Sequence, residues 1–177
     1  TAALSPVIHF YRNGEAAIDS VYTDAETFFT EATYPTEGLR QTVSNVFRRI
    51  SGDQTAPSIY RLETSFGGGK THSLNACVHI ANRGTELAPV TSEILDVQYL
   101  PAPHSVTVVG IAGDEIPVSK IKGDRLIPYT LWGELAYQIG GETLYKEVKG
   151  EAESFAAPGK HFLETVLGDK KVLFMLD

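Results

Sequence analysis

The chain has 177 residues, a net charge of -7 and one cysteine, Cys77, which is enough length for one domain with a sizeable core. The acidic balance, with no run of Lys or Arg, gives no basis for a nucleic-acid groove or a membrane-binding surface within this segment. A lone cysteine excludes an internal disulfide and fits a reducing compartment; with no signal peptide and no apolar run long enough to span a bilayer, a cytoplasmic location without a membrane partner is expected.

Residues 1–21 show mixed polarity and weak periodicity and support no assignment. Thr23, Asp24 and Glu26 read as a helix start, with Thr23 as cap and Glu26 reaching back as in a capping box. Phe28 and Phe29 supply its apolar face, and Tyr34-Pro35 breaks it, because proline disfavours helical geometry in the residue before it. Thr36 opens the next helix, with Leu39, Val43, Val46, Phe47 and Ile50 on one face and Ser51-Gly52 as its end. Arg40, Arg48 and Arg49 fall mostly on the other face and read as solvated surface.

Segment 58–63, with Ile59, Tyr60 and Leu62, reads as a short strand running into Thr64-Ser65-Phe66-Gly67-Gly68-Gly69-Lys70-Thr71. After Lys70 the pattern turns helical, with Leu74, Cys77, Val78 and Ala81 on one face and Gly84 as the close. Segment 105–112 is a near-continuous apolar run, which suits a strand buried on both faces of a parallel sheet. Segment 129–139 reads as a helix ended by Gly140-Gly141, and 160–167 as another, stopped by Gly168. Segment 172–176 is the last strand. Strands alternating with helices predict an α/β fold layered around a parallel sheet. The division expected is an N-terminal helical region over 1–55 and a nucleotide-binding core over 56–177. The chain opens on Thr1 and closes on an apolar run with no turn behind it, so it is expected to be part of a longer polypeptide, its sheet incomplete at the C-terminus.

The glycine run carries the chemistry. A triphosphate needs its charge neutralised without bulky side chains in the way, and a glycine-rich turn lets main-chain N–H groups wrap the phosphate oxygens. The following helix adds the positive end of its dipole, a lysine reaches the outer phosphates, and the next hydroxyl ligates Mg²⁺. Ser65, Phe66, Gly67, Gly68, Gly69, Lys70, Thr71 and His72 are therefore the expected nucleotide contacts, with Lys70 the catalytic charge. One position departs from G-x-x-x-x-G-K-[ST]: Thr64 stands where the first glycine would fall. The bland alternative is a glycine-rich turn beside a surface lysine. The second half of such a site is an acid at the tip of a buried strand, and Val172-Leu173-Phe174-Met175-Leu176-Asp177 fits, giving Thr71 and Asp177 as the metal pair. The expected cofactors are ATP and Mg²⁺.

Other residues read more plainly. His72 either steers the loop or packs locally. Glu63 either senses nucleotide or simply ends the strand, and Asp114 and Glu115 suit a turn. His9, His79, His104 and His161 have no metal-like spacing. Trp132 and Cys77 read as core packing.

With these residues placed, the chain resembles the large prokaryotic P-loop ATPases of domain-of-unknown-function family 499, AAA-like proteins often encoded beside DNA methyltransferases and in anti-phage loci. The matching stretches are Thr33-Tyr34-Pro35-Thr36-Glu37-Gly38-Leu39, the run Glu63 through Leu74, the run Thr130 through Gly141, Ala157-Pro158-Gly159, and the final strand to Asp177. The resemblance implies a P-loop NTPase three-layer sandwich, makes Thr64 normal for the group, and gives Lys70, Thr71 and Asp177 their roles. It also implies that a further strand separates segments 58–63 and 172–176, leaving those two unpaired with one another or the chain alone poorly stable; direct pairing would favour a kinase or GTPase-like class. Implied partners are a nucleotide, the rest of a longer polypeptide, and DNA or DNA-modification proteins. The leading expectation is ATP hydrolysis driving conformational change. The alternatives are a nucleotide-gated scaffold without turnover and a kinase-like transferase.

Overall fold

The computed structural model describes residues 2–15, 17–63, 69–113 and 130–177. Helix α1 (Leu4–Asn13) begins the chain. It buries Leu4, Val7 and Ile8, an i, i+3, i+4 set too short to stand out as a period. Pro6 sits in its first turn, where a missing N–H costs nothing. Gly14 ends it with φ 76°, its N–H on Phe10 O at 2.7 Å.

The next helix starts one residue later than expected. Asp24, not Thr23, caps α2 (Ala25–Thr27), its carboxylate accepting from the Thr27 N–H at 2.7 Å. A carboxylate at an N-cap gains from the helix dipole as well as the hydrogen bond. The element widens into a π-helical turn, Phe28–Ala32, that buries both phenylalanines. Helix α3 (Glu37–Ile50) is capped by Thr36, which accepts from Leu39 N at 3.2 Å, and buries Leu39, Thr42, Val43 and Phe47. Of the three arginines read as solvated, Arg48 instead pairs with Asp53, Nη2 to Oδ2 at 2.6 Å.

Residues 58–63 do not form a strand; Ile59 is 87% exposed. Strand propensity reflects packing against a neighbour, and no described strand lies beside this segment. Helix α4 (Lys70–Arg83) follows and ends at Gly84, φ 50°, where a side chain would run into the Pro101 carbonyl. After the short α5 (Ala88–Thr91) comes β1 (Val106–Ile111). Helix α6 (Leu131–Glu147) is capped by Thr130 and breaks at Gly141, φ 67°, where the glycine pair predicts a stop. Helices α7 (Lys149–Ala152) and α8 (Lys160–Leu167) lead to β2 (Lys171–Leu176).

Strands β1 and β2 pair in parallel, from Val106 opposite Lys171 to Ile111 opposite Leu176. Two further bonds extend the ladder past both strand ends: Asp177 N to Ile111 O and Gly113 N to Asp177 O, each 3.0 Å. Side chains alternate across the sheet. Val106, Val108, Leu173 and Met175 face a cluster built from α1, α2, the π turn, α3 and α4. Val109 and Val172 face a second cluster built from α6, α7 and α8. The sheet thus has helices on both faces. The first cluster draws on both sides of residue 55, joining Phe28, Val43 and Phe47 to Ala76, Val78 and Ile80.

The outer edge of β1 is closed by side chains. Gln138 on α6 accepts from Gly110 N at 3.1 Å and donates to Gly110 O at 2.9 Å, copying a strand with one amide. Arg12 on α1 donates Nη2 to Val108 O at 3.0 Å. An exposed row of main-chain groups is otherwise a template for unwanted pairing. Replacing Gln138 by Leu strands the buried N–H of Gly110. The expected loss is about 1–3 kcal/mol, the cost of an unpaired buried polar group, read as a lower urea midpoint with an unchanged slope.

Candidate functional site

Asp177 stands one residue beyond β2, held there by its two ladder bonds to Ile111 and Gly113. This is the C-terminal edge of a parallel sheet, where ligands of open α/β folds characteristically sit. Gly69 opens α4 from the left-handed region, φ 75°, a conformation that glycine adopts without the steric penalty other residues meet. Its carbonyl accepts from Ser73 N at 2.9 Å and Ser73 Oγ at 3.0 Å. The half-buried Lys70 and Thr71 occupy the first turn. Thr71 Oγ1 donates to Asp177 Oδ2 at 2.9 Å, closing a gap of 106 residues in sequence.

Of the residues predicted to form the site, the structure brings Gly69, Lys70, Thr71 and Asp177 to this edge. Ser65, Phe66, Gly67 and Gly68 lie outside the described residues, as do Thr64, Asp114 and Glu115. The His72 side chain faces elsewhere: its Nε2 lies 2.9 Å from Thr33 Oγ1. The Thr33 hydroxyl gives its proton to Phe28 O at 2.7 Å, so Nε2 carries hydrogen and donates to Thr33. The imidazole also stacks on Phe28, centroids 4.5 Å apart at 21°, and burial lowers its pKa. Glu63 pairs with Arg61 at 3.0 Å, both well exposed.

Deeper along α4 lies a second imidazole. His79 is fully buried, with Nδ1 2.7 Å from the Tyr11 hydroxyl. Burial pushes its pKa down to about 4 and pushes the Cys77 thiol up to about 12, so both are neutral packing groups at neutral pH. Trp132 packs edge-on to Phe162, centroids 6.4 Å apart. The sequence carried no signal for the contacts of His72 with Thr33 or His79 with Tyr11. They join elements 39 and 68 residues apart, beyond the reach of any local pattern.

Among the described residues no group of three or more His, Cys, Asp or Glu side chains is placed to hold a metal by itself. Thr71 and Asp177 offer one hydroxyl and one carboxylate. That hard oxygen set fits Mg²⁺, which takes one or two protein carboxylates and completes its shell from phosphate oxygens and water.

Among the described residues a glycine-opened helix thus meets an acid-ended strand at the C-terminal edge of a two-stranded parallel sheet. The chain belongs to the DUF499 family: the family model of the DUF499 N-terminal domain matches residues 3–177. Neither the curated proteins nor the solved structures contain a match to it. Among the described residues no helix is long and apolar enough to cross a membrane.

Proposed function

We propose that this domain is an ATP-binding P-loop module, a three-layer NTPase core that hydrolyses ATP with Mg²⁺ to drive conformational change in a larger cytoplasmic protein. The observation that carries the reading is the 2.9 Å hydrogen bond from Thr71 to Asp177. Two residues assigned from separate stretches of sequence to one metal meet at the edge where a loop-bound phosphate would lie.

Each group then has a task. Main-chain N–H groups of the glycine run and the first turn of α4 cradle the phosphates, supported by the helix dipole. Lys70 neutralises the outer phosphates, and Thr71 and Asp177 are the protein's donors to Mg²⁺. When bound, the ion would offset the charge developing on the transferred phosphoryl oxygens. The sheet supports the reading as well: β2 pairs in parallel with β1, with helices packed on both faces. The link to DNA methyltransferase and anti-phage loci, and to DNA itself, belongs to the same proposal.

The test is ATP binding and turnover by the full chain and by Lys70→Ala. The variant is expected to bind ATP at least tenfold more weakly, about 1.4 kcal/mol, with turnover lost. Unchanged affinity would remove Lys70 from the phosphates. Tight binding without turnover in the unaltered protein would make it a nucleotide-gated scaffold.

A further inference from the structure

We infer that Tyr34 is the platform on which the base of the bound nucleotide stacks, held in place by the hydrogen bond between Thr33 and His72; this rests on the phosphate-site reading above. The argument begins with direction. Thr71 points to Asp177, and the ends of β1 and β2 wall that side through Gly113 and Asp177. Phosphates seated at Thr71 must send their nucleoside the other way. His72 is the next residue, about 100° around the helix, and it points to Thr33. Tyr34 lies one residue beyond Thr33, about 3.8 Å along the backbone.

Tyr34 combines an exposed ring with a pinned backbone. Its side chain is 81% exposed, so one face of the ring is open to a flat ligand. On one side Thr33 is bonded to both Phe28 O and His72. On the other, Thr36 N donates to Tyr34 O at 2.8 Å, and the Thr36 hydroxyl caps α3. Pro35 fixes the link between them. With the backbone already fixed, only the side-chain rotamer remains to be ordered when a flat ligand binds, and ordering is a main cost of binding. Stacking on an aromatic face tolerates any base, so the platform selects a nucleoside triphosphate over a bare polyphosphate, not one base over another.

The experiment measures binding of ATP, GTP and inorganic tripolyphosphate, each with Mg²⁺, to the full chain, Tyr34→Ala and Tyr34→Trp. Tyr34→Ala is expected to weaken ATP and GTP about 5- to 150-fold, the range for removal of one stacked base. Tripolyphosphate affinity stays as in the unaltered protein, and Tyr34→Trp restores the nucleotides. Circular dichroism should report an unchanged fold, because the ring is exposed. If Tyr34→Ala binds ATP as the unaltered chain does, while Lys70→Ala does not, the platform is overturned and the phosphate site stands. If the unaltered chain binds neither ATP nor tripolyphosphate, both fall together.

Discussion

Asp177→Asn is expected to cut Mg²⁺-dependent ATP turnover on the order of 100-fold or more, the scale seen when one preorganised electrostatic contact to a transition state is lost. Metal-free nucleotide binding should change little. The substitution is a narrow one. Asparagine keeps the shape of the side chain, and its carbonyl oxygen can still accept from Thr71 Oγ1. The main-chain bonds to Ile111 and Gly113 do not depend on the side chain. What is lost is a negative charge, which Mg²⁺ needs in its shell and ATP does not. Thr71 supplies the companion test. Thr71→Ser keeps the hydroxyl and should retain turnover, whereas Thr71→Ala should shift the Mg²⁺ dependence in the same direction as Asp177→Asn. The measurement is steady-state turnover against Mg²⁺ concentration. An unchanged metal dependence in Asp177→Asn would show that the contact with Thr71 is only a tie between α4 and β2.

Much of this arrangement could be read from local signals. The glycine stops after α4 and α8, the Thr36 cap and the apolar run of β1 are all written within a few residues, and the elements sit where those signals put them. The failures have equally local causes. Helix α1 rests on three buried residues, too few to declare a period. Asp24 takes the cap expected of Thr23, its carboxylate accepting from Thr27 N while the Thr23 hydroxyl donates to Ser20 O. Residues 58–63 carry the composition of a strand, but composition supplies no partner, and a strand exists only in a ladder. Lys70, Thr71 and Asp177 could be singled out because each sits at the end of an element. That Thr71 touches Asp177 could not be read, nor could the bonds of Gln138 to β1, because both depend on how the elements pack in three dimensions.

The buried imidazole of His79 should make the fold acid-sensitive over a defined window. Burial holds its pKa near 4 in the native state, against about 6.5 in the unfolded chain. Below 6.5 the unfolded chain takes up a proton that the native state refuses, so stability is full above that pH and falls as pH drops toward 4. The difference of about 2.5 units corresponds to about 3 kcal/mol, a large share of the roughly 5–15 kcal/mol that holds a domain together. The groups around His79 do not reverse the sign: the Tyr22 backbone and Asp24 favour its charge, His72 and Arg83 oppose it, and burial outweighs them all. His72 is lowered as well and adds to the same slope. The carboxylates act elsewhere. Asp53, held at about 2 by Thr55 and Arg48, and Asp24 and Asp96, also lowered, lose their contribution below the ordinary carboxylate range. His79→Leu keeps an apolar side chain against Phe28 and Phe29 and has nothing to titrate. Urea midpoints taken at intervals from pH 7 to pH 4 should therefore fall less steeply for His79→Leu than for the unaltered chain. Parallel slopes would place the acid sensitivity in His72 or in charges outside this core.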